Sequence, residues 1–250
     1  MAKTNSRRTE KTGSALKSHL KIGVFGSGGR MGQEILSVIK EVTGENAFLA
    51  LDFKKQNVAA HSIVSDFKNP LCLQVQVWID FSSAEGFSEI YQFCKKNKVA
   101  LVSGTTGLSK VQLKEMDSPA FPLLWSPNMS LGINVLLKAL NSLESIEGFD
   151  FQIEEFHHRY KKDKPSGTAI LLQNQLEKVV GKKLEKPLSI RGGGIFGIHK
   201  VWAMSDDETI TFEHQVLNRR VFAKGAVKAA QWLTKQKNGL YSLQDLLGSR

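Results

Sequence analysis

The segment from Glu155 to Ala169 holds a dense group of side chains that can move protons or carry charge. Two adjacent histidines, His157 and His158, are followed by four cationic residues and one acidic residue, and Lys161 is one of the cations. A histidine titrates near neutral pH and can act as an acid or a base, and a lysine beside other cations holds its proton less tightly. The pattern predicts an active site that reduces a small acidic substrate, although a charged run of this kind is also typical of a solvated loop.

The same segment contains the start of a predicted helix. Ser166 is a typical residue for the position before a helix, and the apolar spacing predicts that the helix covers 166–180. Amide groups in a first helical turn lack partners within the helix and attract anions. Gly167 and Thr168 are therefore candidates for holding a carboxylate of the substrate.

The preceding stretch, 149–158, alternates polar and apolar residues as a strand does. Adjacent residues of a strand point to opposite faces of the sheet. His157 and His158 can therefore face the same ligand only if the strand ends at this point. Their spacing is not that of a metal site, and no further cysteine, histidine or aspartate completes one.

A glycine-rich turn near the N-terminus is the second feature with chemical meaning. Gly26, Gly29 and Gly32 lie between a predicted strand, 21–25, and a predicted helix, 30–41. Glycine permits a tight turn and a close approach of pyrophosphate, and the helix N-terminus offers free amides and a partial positive charge. The residues predicted to contact a dinucleotide at this turn are Gly26, Ser27, Gly28, Gly29, Arg30 and Met31.

Asp52 ends the next predicted strand, 47–52, where an acid can accept both hydroxyls of a ribose. Its charge favours the unphosphorylated ribose of NADH. Lys54 and Lys55 follow closely and could pair with the 2′-phosphate of NADPH. The sequence thus predicts use of both cofactors with a preference for NADH.

Two later turns follow predicted strands at the same edge of the predicted sheet. Threonine hydroxyls and turn amides in the first could hold the nicotinamide ribose or carboxamide, and the second lies where the pattern of elements changes. A purely structural role is equally open for both turns. The candidate cofactor contacts are Gly104, Thr105 and Thr106 in the first turn, and Ser126, Pro127, Asn128 and Met129 in the second.

The order of predicted elements separates two domains. Strands and helices alternate up to Asn128, which predicts a doubly wound, Rossmann-type parallel sheet over 21–128, and the helix predicted over 222–235 returns to it so that 222–250 belongs to the same domain. Residues 129–221 predict an α+β domain with an antiparallel or mixed sheet. Its predicted elements are helices over 130–147 and 166–180 and strands over 149–158, 188–194, 198–204 and 208–216.

Composition narrows the class of protein. The chain has 250 residues, 41% hydrophobic content and no apolar stretch of the length that a membrane span needs. Residues 1–20 are polar and basic and indicate a flexible tail without the apolar core of a secretory signal. The two cysteines, Cys72 and Cys94, predict no disulfide framework and fit the cytoplasm. A net charge of +10 without a nucleic-acid motif indicates a small anionic ligand.

Taken in order, these motifs resemble the dihydrodipicolinate reductase family, also called 4-hydroxy-tetrahydrodipicolinate reductase, from Lys21 to about Leu247. The resemblance is carried by the glycine turn, the 155–169 segment and several further stretches. These stretches are Asp80-Phe81-Ser82, Gly104-Thr105-Thr106-Gly107, Asn128 to Asn134, Arg191-Gly192-Gly193 with Gly197 and His199, Arg219, and Phe222 to Ala226.

The resemblance implies a reaction and a set of roles. Family members reduce a cyclic unsaturated imine dicarboxylate with NADH or NADPH, after loss of a hydroxyl as water, in diaminopimelate and lysine synthesis. They are typically cytoplasmic homotetramers that close two domains over the substrate. His157 resembles the family's proton donor and acceptor, and Lys161 its proton-donating lysine. His158, Gly167 and Thr168 resemble its substrate-binding group.

Three positions depart from the family pattern. Phe53 stands where many relatives carry an arginine beside the ribose acid, which puts a preference for NADPH in doubt. Met129 replaces a frequent phenylalanine, and Asn218 a frequent serine.

Two other functions remain open from the residues alone. One is a different two-domain nicotinamide enzyme, such as an amino-acid dehydrogenase acting on aspartate, which would need the Gly26 turn but not the 155–169 segment. The other is a non-enzymatic module that senses NADH and would tolerate loss of His157 and Lys161.

Overall fold

The computed structural model describes residues 20–54 and 57–248. The predictions made for the N-terminal tail and for Lys55 lie outside these residues. Within the described part of the chain, no helix is both long and apolar enough to cross a membrane. The described residues form two β-sheets with helices packed against them.

All strands of the first sheet are parallel. They follow the Rossmann order, in which the sequence order of neighbouring strands changes direction beside the strand that comes first in the chain. The strands are β1 (Ile22–Phe25), β2 (Ala47–Leu51), β3 (Ala60–Val64), β4 (Val77–Asp80), β5 (Ala100–Ser103), β6 (Pro122–Trp125) and β11 (Gly239–Tyr241). They are arranged as β11–β6–β5–β4–β1–β2–β3, and every pairing is parallel. Ligands bind in such sheets where the order reverses, here between β1 and β4.

Helices cover both faces of this sheet. These helices are α1 (Arg30–Thr43), α2 (Ala84–Asn97), α3 (Lys110–Glu115), α6 (Arg220–Leu233) and α7 (Leu243–Leu246). Buried side chains of α1, α6 and α7 form a core with one face, and those of α2 form a core with the other. Every residue of β1, β4 and β5 is buried. Burial on both faces explains why these strands read as short continuous apolar runs in the sequence.

The predicted parallel sheet is confirmed, but the sequence prediction missed both edge strands. The edge strand β3 alternates between half-exposed and exposed residues before one buried valine, and β11 has only three residues. Neither contains an apolar run. Pairing with the neighbouring strands β2 and β6 makes these segments extended, and that pairing is non-local.

The second sheet has four strands in the order β10–β9–β7–β8. They are β7 (Asp150–His157), β8 (Leu188–Arg191), β9 (Gly197–Met204) and β10 (Thr209–Val216). The strand β9 is antiparallel to both β7 and β10, whereas β7 and β8 are parallel, so the sheet is mixed. Helices α4 (Leu131–Ala139) and α5 (Gly167–Val180) form a core with one face of this sheet.

The alternation along β7 divides its inner face into two halves. Phe151 and Ile153 join the apolar core under α4 and α5. Glu155 and His157 continue the same face and are also buried. Every second residue of β7 lies on the same face of the sheet, and this face changes from apolar at Phe151 and Ile153 to polar at Glu155 and His157.

Three predicted boundaries were wrong. The helix predicted over 130–147 ends at Ala139 and continues only as a 3₁₀ turn over 140–143. There the Ser142 hydroxyl donates to the Ala139 carbonyl at 2.8 Å, the kind of local bond with which serine competes with helix. The strand predicted over 188–194 ends at Arg191, before glycines with turn geometry. Helix α6 begins and ends two residues earlier than the predicted 222–235.

Helix α6 also packs where the chain passes from the first sheet to the second. A side chain at Gly225 would place its Cβ only 1.8 Å from the Met129 carbonyl oxygen. Only glycine permits this contact, which seats α6 against the crossing segment.

Candidate active site

A cavity of about 740 Å³ lies between the carboxyl ends of the first sheet and the polar end of the second. It is lined by residues from both sheets. The sequence-predicted residues in its wall are Arg30, Met31, Gly104, Thr105, Thr106, Pro127, Asn128, Met129, His157, His158, Lys161, Gly167 and Thr168. The structure thus brings the glycine-turn helix and the 155–169 segment to one cavity.

The glycine turn leads directly into α1. Gly26 has a φ of 74°, which favours glycine, and a Cβ at Gly32 would lie 2.2 Å from the Gly26 carbonyl oxygen. Among the described side chains none caps the N-terminus of α1, and its first turn has no acidic residue. An uncapped helix end beside Arg30 is suited to a pyrophosphate.

Some residues predicted to touch a cofactor lie behind the cavity wall. Ser27 is fully buried, and its hydroxyl donates to the Leu51 carbonyl at 3.2 Å. Ser126 is buried as well, and its hydroxyl donates to the Asn128 carbonyl at 2.8 Å. Both hydroxyls shape the turns that carry their neighbours.

Asp52 is tied to the glycine turn by its carboxylate. Its Oδ2 accepts from the Gly28 amide and its Oδ1 from the Lys54 amide, both at 3.0 Å. The neighbouring Phe53 is 47% exposed, with its ring edge-on to Phe25 at 5.1 Å. The acid that faces a ribose in this fold is therefore held fixed, and an aromatic ring lies next to it.

Asp80 joins two turns of the cavity wall and was given no role by the sequence prediction. Its carboxylate is fully buried and accepts from the hydroxyls of Ser82, Ser103 and Thr105 at 2.6, 2.7 and 2.8 Å. The Ser82 amide also donates to it at 3.0 Å. Burial raises the pKa of Asp80 despite these bonds. One carboxylate thus sets the positions of the turns after β4 and β5.

One hydrogen bond crosses the cavity between the two halves of the molecule. The Asn128 side-chain amide donates to the Thr168 hydroxyl at 2.8 Å. Asn128 follows the first sheet, and Thr168 lies in the first turn of α5. Ser166 caps that helix by accepting from the Ala169 amide at 3.2 Å. The N-terminus of α5 therefore opens into the cavity at a defined position.

His157 is the last residue of β7, and this is why both histidines can line one cavity. The chain leaves the sheet after His157, so His158 is released from strand geometry. His157 Nδ1 bonds to the carboxylate of Glu155, which lies two residues earlier on the same face. The opposite edge of the ring faces Gly197, where a Cβ would lie 3.0 Å from His157 Nε2.

Burial acts in opposite directions on the pKa values of His157 and Glu155, yet both values are lowered. Burial lowers the pKa of His157, although Glu155 acts in the opposite direction, and the lowered pKa favours the neutral ring. Burial alone would raise the pKa of Glu155, but hydrogen bonds from Arg191 and His157 hold it at about 2. A neutral ring beside an ionised carboxylate carries its proton on Nδ1 and leaves Nε2 free to accept one.

Lys161 projects from the loop after β7. Its Nζ forms an ion pair with Asp163 Oδ2 at 2.9 Å, and both residues line the cavity. The Lys161 amide donates to the His158 carbonyl at 3.0 Å, which closes the turn. A cation, a histidine and the N-terminus of α5 therefore share the cavity.

Several cavity residues were given no role by the sequence prediction. Phe81, Ser82, Arg219 and Phe222 stood only among the matching motifs, and Phe196 was not named. Arg191 and His199 also stood only among those motifs; they do not line the cavity but bond to Glu155 and Ser166, respectively. Alternation along β7 would have put Glu155 on the face of His157, but the arrival of Arg191 depends on a non-local strand pairing.

A Rossmann-type nucleotide-binding domain and a second domain with proton-donating groups, meeting at one cavity, define a two-domain nicotinamide-dependent oxidoreductase. Comparison with known proteins identifies the particular family. Residues 20–129 match the N-terminal part of dihydrodipicolinate reductase, and residues 132–247 match its C-terminal part. The chain belongs to the dihydrodipicolinate reductase family.

Curated relatives agree with this assignment. The chain is 51% identical over 231 residues to 4-hydroxy-tetrahydrodipicolinate reductase of Bdellovibrio bacteriovorus, which covers 91% of this chain and 96% of the relative. It is 35% identical to the enzyme of the same name from Campylobacter curvus, over 92% and 99% of the two chains.

A solved structure shares the fold. Dipicolinate-bound dihydrodipicolinate reductase from a Paenisporosarcina species superposes with a TM-score of 0.75 at 22% identity, over 91% of this chain and 99% of that one. The two alternatives left open by the sequence, an aspartate-type dehydrogenase and a non-enzymatic sensor, are not supported, since both halves of the chain match the reductase family.

Proposed function

We propose that this chain reduces 4-hydroxy-tetrahydrodipicolinate to tetrahydrodipicolinate with NADH or NADPH and with loss of water, a step of diaminopimelate and lysine synthesis. The observation that carries the proposal is the single cavity in which His157, Lys161 and the start of α5 face the turn at 104–106. The full-length match to reductases of this name supports the same reaction.

The cofactor end of the cavity, together with Asp52 beside the glycine turn, fits a dinucleotide. The uncapped N-terminus of α1 and Arg30 suit the pyrophosphate, and Asp52 suits a ribose. Thr105 and Thr106 lie at the edge of the first sheet in the cavity wall and are proposed to orient the nicotinamide, together with Pro127 and Asn128. When bound, the cofactor supplies the hydride that C4 of the substrate receives.

The second domain supplies the contacts for a dicarboxylate. The amides of Gly167 and Thr168 at the N-terminus of α5 are proposed to hold one carboxylate, with His158 beside them. Thr168 is already positioned by its bond from Asn128. A substrate carboxylate bound at this helix would therefore lie beside the Asn128–Thr168 hydrogen bond, which joins the two halves of the molecule.

Proton delivery falls to Lys161 and His157. Hydride addition at C4 leaves negative charge that a proton must neutralise. The Lys161 ammonium is held against Asp163, and His157 can accept a proton at Nε2 and return it. This division of roles follows from the Nδ1 bond to Glu155, which leaves only Nε2 of His157 open to the cavity.

The proposal is tested by mixing the purified protein with NADH or, separately, NADPH. The substrate is made in situ by the preceding synthase from pyruvate and aspartate semialdehyde, and nicotinamide absorbance is followed. Oxidation that requires the synthase product supports the reaction. A protein that binds NADH but oxidises neither cofactor under these conditions contradicts it.

Variants of the two proton-transfer residues separate catalysis from binding. His157→Ala and Lys161→Ala should each lower kcat by about 10²–10⁴-fold, the usual contribution of an acid–base group. NADH affinity, measured by fluorescence titration, should hardly change, because the glycine turn lies in the other domain. Lys162→Ala is the matched control, since Lys162 is exposed. Rates like those of the wild type in both variants would refute the assigned roles.

For the cofactor, we propose use of both nicotinamides with a preference for NADH. The Asp52 carboxylate is fixed by two amides and would repel a 2′-phosphate, and the apolar ring of Phe53 offers that phosphate no bond. The comparison to make is that of the KM values for NADH and NADPH. A hundredfold preference for NADPH would overturn this proposal.

We further propose that residues 129–221 form the substrate-binding and oligomerisation domain of a homotetramer, and that 21–128 with 222–250 forms the dinucleotide domain. On the outer face of the second sheet, Leu188 and Ile190 are 52% and 44% exposed. Apolar residues on an uncovered sheet face favour packing against another copy. Light scattering on the purified protein tests the tetramer, and Ile190→Asp should reduce the assembly size.

The reaction is proposed to run in the cytoplasm. Both cysteines, Cys72 and Cys94, are free and buried in the structure, as suits a reducing compartment.

A further inference from the structure

Glu155 is a carboxylate with no exposure to solvent, and its two oxygens are divided among several donors. Oε2 bonds to His157 Nδ1 and accepts from Arg191 at 2.8 Å. Oε1 accepts from Arg191 at 2.6 Å and from the Ser166 amide at 3.2 Å. The same carboxylate therefore touches the catalytic histidine, a guanidinium, and the residue that caps α5.

Arg191 extends this connection to the loop that carries Lys161. Its Nε donates to the Lys161 carbonyl at 3.2 Å, and one of its terminal nitrogens donates to the Asp163 carbonyl at 2.6 Å. The parallel pairing of β7 with β8 sets Arg191 directly opposite His157. The guanidinium thus spans the gap between Glu155 and the 161–163 loop.

We propose that Glu155 and Arg191 are positioning residues for the reduction: Glu155 holds the His157 ring with its proton on Nδ1 and Nε2 towards the cavity, and Arg191 fixes that carboxylate and the Lys161 loop in one frame. The catalytic consequence rests on the proposed function. The state of the His157 ring does not, because it is a property of the protein without substrate.

Stability alone does not account for this arrangement. A buried ion pair is often no more stabilising than apolar side chains of similar volume, because both charges lose their hydration. The pair also lies at the end of the sheet where the chemistry occurs, whereas Phe151 and Ile153 serve the core at the other end. The Glu155–Arg191 ion pair is therefore explained by the groups that it positions, which are the His157 ring and the loop that carries Lys161.

Several charged or titratable groups face the His157 ring. They are Glu155 on its own strand, Arg191 on β8, Lys161 on the following loop, and His199 on β9, whose ring centroid lies 5.2 Å away. His199 Nε2 is hydrogen-bonded to the Ser166 hydroxyl at 3.2 Å. Glu155 is the only acid among these described groups, so its loss should change which ring nitrogen of His157 holds the proton.

The first experiment reads the ring directly. Nitrogen NMR of protein labelled in its six histidines distinguishes the two tautomers, and a His157→Gln spectrum assigns the signal. The wild type should show the Nδ1–H form at pH 7. In Glu155→Leu/Arg191→Met, which removes both charges and the acceptor, the Nε2–H form should dominate. A wild-type ring protonated on Nε2, or a tautomer unchanged in the double variant, would overturn the proposal.

The second experiment separates positioning from stability. The double variant should unfold at a temperature near that of the wild type, while kcat falls about 10- to 100-fold, as misplaced catalytic groups do. The KM for NADH should stay within about twofold, since the glycine turn lies in the other sheet. The same double replacement at Glu177 and Lys183, an ion pair away from the cavity, is the control and should leave kcat unchanged. Full recovery of both stability and kcat in the Glu155/Arg191 variant would contradict positioning.

Glu155→Gln provides an independent variant if the double variant fails to fold. Its amide oxygen can still accept from His157 Nδ1, so the Nδ1–H form should persist and the loss of kcat should be smaller than in the double variant. A switch to the Nε2–H form in Glu155→Gln with unchanged kcat would refute the proposal. Failure of the wild type to turn over the synthase product would instead contradict the proposed function and leave the tautomer result standing.

Discussion

Asp80 in the first sheet and Glu155 in the second are both fully buried carboxylates at the end of their sheet that borders the cavity. Asp80 accepts only from hydroxyls and one amide, whereas Glu155 contacts a guanidinium and a histidine. Burial dominates at Asp80 and raises its pKa. At Glu155 the same burial is outweighed by Arg191 and His157, and the pKa is lowered to about 2.

The difference between the two pKa values corresponds to the groups that each carboxylate holds in place. Asp80 joins the turns at Ser82 and Thr105, which form the rigid wall proposed for the nicotinamide. Glu155 holds a side chain that must change protonation during the proposed reaction. Uncharged donors are sufficient to fix a loop, whereas a fixed negative charge also biases where a proton lies. Five predictions test this comparison.

The largest effect is expected when only one charge of the buried pair is removed. Arg191→Met leaves the Glu155 carboxylate without its cation, and such a loss typically destabilises a protein by about 3–5 kcal/mol. Glu155→Leu/Arg191→Met should regain most of this free energy of unfolding, measured by urea denaturation. Equal stability of the single and double variants would mean that the two charges do not interact.

Lowering the pH should change the contributions of Glu155 and Asp80 to the free energy of unfolding in opposite directions. The folded-state pKa of Glu155 is lowered from 4.5 to about 2, so its contribution to stability is complete above pH 4.5 and disappears as the pH falls towards 2. The free energy of unfolding of the wild type should therefore approach that of Glu155→Gln across this window.

The raised pKa of Asp80 has the reverse consequence. The folded protein binds the Asp80 proton more tightly than the unfolded chain, so stability falls as the pH rises above 3.8. Relative to Asp80→Asn, the wild type should become less stable with rising pH. If the free energy of unfolding of the wild type and of Asp80→Asn changed with pH in the same way, the raised pKa of Asp80 would be contradicted. The other carboxylates are common to both proteins, so their effects cancel in this comparison.

Removal of Asp80 should cost less than removal of Arg191, because no buried charge remains behind. Asp80→Ala leaves the Ser103 and Thr105 hydroxyls without their acceptor, a loss of about 1–3 kcal/mol. The displaced turn should raise the KM for NADH several-fold. An unchanged KM together with lower stability would restrict Asp80 to a structural role.

The smallest structural change is one methyl group added beside His157. Gly197→Ala places a Cβ 3.0 Å from His157 Nε2, so the ring must move by a few tenths of an ångström. We expect kcat to fall by about tenfold, below the 10²-fold typical of a displacement of 1 Å, with the melting temperature nearly unchanged. Gly194→Ala, where nothing lies near the added Cβ, is the control.

Local patterns were sufficient for much of this molecule. Continuous apolar runs predicted the central strands of the first sheet, since strands buried on both faces need no polar alternation. Three spaced glycines and Asp52 predicted the nucleotide-binding turn, because these residue types are dictated by backbone geometry and by ribose chemistry. Motif order over nearly the whole chain pointed to the reductase family, which the comparisons confirmed.

What depended on distant pairing could not be derived in this way. The edge strands β3 and β11 contain no apolar run, and their extension comes from the strands beside them. The segment predicted as one helix over 130–147 is a separate, local case: it ends at Ala139, where the Ser142 hydroxyl donates to the Ala139 carbonyl.

The sequence by itself determined the fold class, the glycine turn and the chemical character of the 155–169 segment, since each depends on residues close together in the chain. Only the tertiary structure decided that Glu155, His157 and Arg191 meet. The alternation of β7 puts the first two on one face, but the third arrives through a parallel pairing with β8. A register between strands is set by the packing of whole faces, and no local pattern around Arg191 encodes its partner.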